Sequence, residues 1–317
     1  MGAYAIFNYQ FDKILEHSRQ YKLEGIDTVV MSAEEAFPKR QEIFGAMLEK
    51  DYAKVTSNDV IHFKNAQGLK EYIHRHLMKP TDDIVIMRVA NTKPRTFTDS
   101  DWKVKRIEDF QNCIVIIDNR PGIQRILIEN KKTAFRDVKQ VERIMEHTFN
   151  KLLCRYSLKI RLEHLQDKRA FWQYAGDSLS HPKGFHRVRI RLPYPNLDRL
   201  KKVYDRLFNQ ARESFDSRID LDFVASEGGQ LRLDKNDAYQ SELIGWLMED
   251  AGADVQLFSN SAKKTPIHVG RNSFKTVWVS DSTLGRLSED SADGDLFGST
   301  TLDEVKRKTK TGIDNDQ

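Results

Sequence analysis

The residues best suited to chemistry lie in Phe185-His-Arg-Val-Arg-Ile-Arg-Leu192. Arg187, Arg189 and Arg191 alternate with Val188, Ile190 and Leu192. Side chains alternate along a strand, so the three guanidiniums share one face at intervals of about 7 Å. Lys159 and Arg161 alternate in the same way between Leu158 and Leu162, and Lys201 and Lys202 add charge on a following helical pattern. Fixed cations in rows suit a phosphate backbone. The expected nucleic-acid contacts are therefore Lys159, Arg161, Arg187, Arg189, Arg191, Lys201 and Lys202. Arginines occupy the strand positions where an RNA-recognition domain would display aromatics, which argues against base stacking. The alternative is internal neutralisation. Asp220 and Asp222 alternate onto the same sheet face, where cross-strand pairing would cap the arginines.

Two further constellations are weaker. Asp118 followed by Glu129-Asn-Lys131 matches a metal-dependent nuclease pattern. If Asn119 to Gly122 turns a tight hairpin, however, the two carboxylates end up roughly 20 Å apart, too far for one ion. The histidines form no ligand set as read from the sequence. His74 and His76 fall within Gln67 to Leu77, read as a helix, where residues two apart point in different directions and ligand pairs sit three or four apart. His164, His181 and His186 have no Cys or carboxylate cluster beside them. No metal site and no cofactor are expected. The phosphate-binding GxxxxGKS or GxxxxGKT loop, a GxGxxG turn and a GxSxG elbow are all absent.

The formal net charge of +4 hides an uneven distribution. Lys131 to Arg212 is strongly basic, whereas Asp216 to Asn260 holds 3 Lys or Arg against 10 Asp or Glu. A concentrated basic stretch attracts polyanions. Two cysteines in 317 residues cannot build a disulfide framework. The start, Met1 to Phe7, lacks the basic region of a secretory leader, and no run approaches the roughly 20 apolar residues of a membrane span. A cytoplasmic protein without membrane contact is expected.

The elements that must position these residues read as α+β in two domains. Residues 1–165 form a mixed domain. Its antiparallel meander runs through Asp83 to Val89, Trp102 to Glu108, Asn112 to Ile117 and Ile123 to Glu129, and it is followed by an amphipathic helix over Phe135 to Leu153. The turn Asn119-Arg-Pro-Gly122 suits type II geometry, with Gly at positive φ. Residues 166–184 read as a linker. Residues 185–285 give the order β-α-β-β-α-β of a ferredoxin-like domain, with Gln230 to Leu233 as its third strand. Residues 286–317 read as a flexible tail, with Thr301 and Glu304 in capping-box spacing and a short helix that could form on a protein partner.

The expected function is a non-catalytic nucleic-acid-binding protein that contacts the backbone through the basic surface of residues 131–212. Its alternatives are an interaction subunit of a multi-protein assembly and a metal-dependent nuclease or phosphodiesterase.

Overall fold

The computed structural model describes residues 2–14, 29–54, 56, 60–98, 100–192, 219–250, 252–260, 265–270, 273–280, 284 and 296–310. It is an α+β protein with antiparallel sheets, and it divides into two units. Unit 1 is mainly Tyr9–Leu162 with Val277–Lys310, and unit 2 is mainly Glu163–Thr276. Among the described residues, no helix is long and apolar enough to cross a membrane.

Unit 1 is built on an eight-stranded sheet. Its strands are β1 (Gly2–Lys13), β2 (Phe63–Lys64), β3 (Glu71–His76), β4 (Ile84–Thr98), β5 (Val104–Asp118), β6 (Arg125–Glu129), β7 (Leu158–His164) and β12 (Thr276–Val279). The order is β12-β1-β6-β5-β4-β3-β2, with β7 also paired to β1. The expected meander is present with one strand fewer. Trp102 to Glu108 and Asn112 to Ile117, expected as two strands, merge into one continuous β5 that starts at Val104, and β4 and β5, each 15 residues long, pair from Ile84↔Asp118 to Thr98↔Val104. Pro94 and the polar run around it concealed the outer half of β4 in the sequence. Pro121 and Gly122 turn β5 into β6 as expected: the Ile123 N–H donates to the Arg120 carbonyl and Gly122 takes φ 76°.

Apolar stripes on α1 (Arg40–Ala53) and α2 (Val138–Leu153) pack within this unit. In α1, Phe44, Leu48 and Asp51 are the buried positions. Lys54, in the left-handed region, ends the helix. In α2, Asp137 caps the first turn, and Val141, Ile144, Met145 and Phe149 are buried. Phe44 and Phe149 meet edge to face at 5.1 Å, and Phe149 meets Phe63 at 5.8 Å. These aromatics pack β2 against α1 and α2.

The stretch read as a flexible tail contains α5 (Leu296–Lys310). Thr301, Leu302, Val305 and Thr309 are buried on one stripe. The Thr309 hydroxyl donates to Asp118 at 2.6 Å and Lys306 meets Asp82 at 2.6 Å. Thr301 and Glu304 therefore lie inside a docked helix rather than at a free start. The apolar spacing outweighed the polar composition.

Unit 2 is a four-stranded antiparallel sheet in the order β11-β10-β8-β9. Its strands are β8 (Phe185–Leu192), β9 (Ile219–Val224), β10 (Asp254–Ser259) and β11 (Ile267–His268). Val188, Ile190 and Leu192 face a core that includes Phe171, Ile244, Leu247 and Val255. This order departs from the ferredoxin-like pattern. Gln230 to Leu233 forms no strand, and β9 pairs directly with β8 in the place the third strand would occupy. Leu231 and Leu233 pack on the core instead. The residues read as a linker include α3 (Lys168–Ala175), whose Phe171 is fully buried. A second helix, α4 (Ala238–Gly245), begins at the Asp237 cap. The helical pattern expected to carry Lys201 and Lys202 lies outside the described residues.

Candidate metal centre

The most specific cluster in unit 1 joins residues that the sequence reading kept apart. Gln67 to Leu77 is not a helix: Glu71–His76 is strand β3, paired with β4 through His74↔Val89 and His76↔Met87. Residues two apart on a strand share a face. Tyr72, His74 and His76 therefore point inward, while Glu71, Ile73 and Arg75 point out. The alternation of ring and non-ring residues in Glu-Tyr-Ile-His-Arg-His is the signal that separates this strand from a helix.

Asp51 reaches the same point from the last turn of α1. It occupies a position of the apolar stripe, seven residues after Phe44 and three after Leu48. A carboxylate at a core-facing position was the second signal available in the sequence. Asp51 Oδ2 accepts from His74 Nε2 at 2.7 Å and from His76 Nε2 at 2.6 Å. Asp51 Oδ1 accepts from the Ile61 N–H at 2.7 Å. Side-chain exposure is 0% for Asp51, 7% for His74 and 3% for His76. Burial alone would raise the Asp51 carboxyl pKa, but the hydrogen bonds from His74 and His76 outweigh it and hold the group well below the usual carboxylate range.

Neighbouring rings wall the trio. Phe63 stands edge to face against His74 at 5.0 Å, and Tyr52 against His76 at 5.5 Å. Two imidazole nitrogens and a carboxylate oxygen, all within 4.8 Å of one another, are donors of the type that could hold a divalent transition ion. His76 Nδ1 is buried without a hydrogen-bond partner, so no second bond fixes that ring. An isolated carboxylate at zero exposure is costly unless donors or a cation compensate it. Here three donors already do so.

The predicted phosphate contacts are engaged differently. Arg187 holds Asp222 through two bonds, at 2.8 and 2.6 Å, and Arg189 meets the same carboxylate at 3.1 and 3.3 Å. Arg191 faces Asp220 at 3.5 Å. The register explains this, since Arg189 lies opposite Asp222 and Arg191 opposite Asp220. Hydrogen bonds from Arg187 and then Arg189 hold the Asp222 carboxyl well below its ordinary range. In unit 1, Lys159 and Arg161 both meet Asp12, Lys159 at 3.9 Å. Lys201 and Lys202 lie outside the described residues. The cross-strand alternative is thus the observed arrangement for Arg187, Arg189 and Arg191.

The nuclease pattern does not assemble. Asp118 lies opposite Arg125, while Glu129 is at the far end of β6, where it accepts from the Ile114 N–H at 2.8 Å. Asp118 is fully buried and bound by Arg120 and Thr309. His164 contacts the Gly270 carbonyl at 3.2 Å and His181 contacts the Ser259 hydroxyl at 3.3 Å, so these two histidines have separate partners. Burial pushes the Cys113 thiol up to about 12, which makes it an inert core residue. Comparison of the chain with protein-family models, with curated proteins and with solved structures found no match.

Proposed function

We propose that unit 1 is a metal-binding module in which Asp51, His74 and His76 hold one divalent transition ion. The observation that carries this reading is the convergence of three ligand atoms from two separate elements at a nearly fully buried point. Zn²⁺ fits a mixed imidazole and carboxylate set best, and Co²⁺ serves as its spectroscopic substitute. Near-complete burial leaves the ion a structural role, tying the last turn of α1 to β3. Elemental analysis of protein dialysed against Zn²⁺ tests this. The expected result is one equivalent retained by the native chain and none by His74→Ala or His76→Ala. No retention by a folded native chain would make the trio a hydrogen-bonded core cluster and overturn the reading.

A second reading, the nucleic-acid contact expected from the sequence, has one observation in its favour. On the β8–β9 face, Arg187, Arg189 and Arg191 outnumber Asp220 and Asp222, and all five side chains are between 26% and 40% exposed. A phosphate would then have to displace a carboxylate from the arginines. Binding of duplex DNA that falls steeply with salt and is lost in the Arg187→Ala, Arg189→Ala, Arg191→Ala triple variant would support it. Binding indifferent to both would end it.

A further inference from the structure

The β4–β5 hairpin outgrows its sheet. β3 covers the outer edge of β4 only at Met87 to Ala90, and β6 covers that of β5 only at Val115 to Asp118. Residues 92–98 and 104–112 continue as a two-stranded ribbon. Among the described residues, no third strand lies beside either edge of it. The ribbon exposes Phe97, Val104, Ile107 and Phe110, with Trp102 near its tip. A bare ribbon is marginally stable in water, and its edges are templates for another strand.

The two edges are not equivalent. Pro94 sits on the β4 edge and cannot donate to a ladder. The β5 edge has no proline, and its sequence is Val104-Lys-Arg-Ile-Glu-Asp-Phe110. This stretch is antisymmetric in charge about Ile107, with two cations before it, two anions after it and an apolar residue at each end. When two copies of this edge run antiparallel with Ile107 on the two-fold axis, Arg106 of each faces Glu108 of the other. Lys105 then faces Asp109, and Val104 faces Phe110. Every opposed pair is complementary. A slip of two residues, the smallest that keeps the same faces together, sets Arg106 against Arg106 or Glu108 against Glu108. The pattern therefore specifies register as well as partner.

We infer that the chain self-associates as a two-fold dimer through the β5 edge centred on Ile107, which joins two ribbons into a four-stranded sheet. Each copy offers the same patch to the other, as a closed two-fold interface requires. Asp109 already has Arg95 at 3.9 Å and Gln111 at 2.8 Å on its own chain, which orients its carboxylate along this face. This inference is independent of the metal centre.

Sedimentation velocity on the full chain, from about 1 to about 100 µM, reads the association directly. The native chain is expected to dimerise with concentration. Arg106→Glu places two like-charge pairs at the axis and is expected to weaken the dimer by about tenfold or more. Adding Glu108→Arg to Arg106→Glu restores the antisymmetry in reverse and is expected to restore the dimer. These positions are exposed or half-buried, so the fold of the variants is not at issue, and circular dichroism checks it. A native chain that stays monomeric throughout, as it would if the ribbon served a different partner, overturns the inference. So does a dimer indifferent to Arg106→Glu, or one that the double variant fails to rescue.

Discussion

Asp51 and Asp222 are held in the same way and differ in worth. Each carboxylate is shared by two nitrogen-bearing side chains placed two apart on a strand, His74 and His76 for Asp51 and Arg187 and Arg189 for Asp222. Asp51 has no exposed surface, whereas the Asp222 side chain is 31% exposed. Water and salt screen the second arrangement, and its partners can exchange. Nothing screens the first, so its donors are obligatory and a cation placed there keeps its full effect. The spacing of two builds either site, and burial decides whether the result is an exchangeable surface ladder or a fixed centre.

The largest effect expected from this contrast is on stability. Asp51→Ala leaves two buried imidazoles without their acceptor and is expected to cost about 3–5 kcal/mol in urea unfolding. Asp222→Ala, measured in the same way, is expected to cost far less, and that small loss should disappear in high salt. A similar cost for both variants would break the contrast.

Metal binding follows. At an ion concentration about 100 times Kd, Zn²⁺ is expected to stabilise the folded chain by about 2.7 kcal/mol, read as a rise in the thermal midpoint that His76→Ala abolishes.

A third prediction concerns another carboxylate of unit 1. Burial, and then the charge of Glu146, pushes the Glu142 carboxyl up to about 7. Its folded value lies above its unfolded value. The stability it contributes is therefore present at acid pH and is lost as pH rises to about 7. Glu142→Gln is expected to remove this slope and to leave the chain about 2 kcal/mol more stable than native at pH 8. Parallel pH profiles for the two proteins would contradict it.

The smallest effect belongs to the ladder. Asp222→Asn removes the carboxylate shared by Arg187 and Arg189, so any affinity for duplex DNA should rise severalfold at low salt and converge with native as salt increases. An unchanged affinity would count against phosphate contact at this face.

The alternation of Val188, Ile190 and Leu192 with three arginines was legible because period two is unambiguous when every second residue is charged. The turn at Pro121 and Gly122 was legible for the same local reason. The pairing of β9 with β8 was not, since no local signal says which of two strands, Ile219 to Val224 or Gln230 to Leu233, takes the neighbouring place. β3 was misread because it is only six residues long, a length at which period two and period 3.6 overlap. That single error hid the Asp51, His74 and His76 cluster, because His74 and His76 converge on a strand and diverge on a helix. Asp51 was legible in principle, as a carboxylate in register with Phe44 and Leu48, but its partners lie more than 20 residues away. α5 was misjudged because its polar composition concealed a stripe at Leu302, Val305 and Thr309.

Titration of metal-free protein with Co²⁺, followed by visible absorption, reads the Asp51, His74 and His76 site itself. A ligand-field band is expected that saturates at one equivalent, is displaced by Zn²⁺ and is absent in the folded His74→Ala variant. A native protein that gives no band and no change in thermal midpoint with either ion would contradict metal binding there.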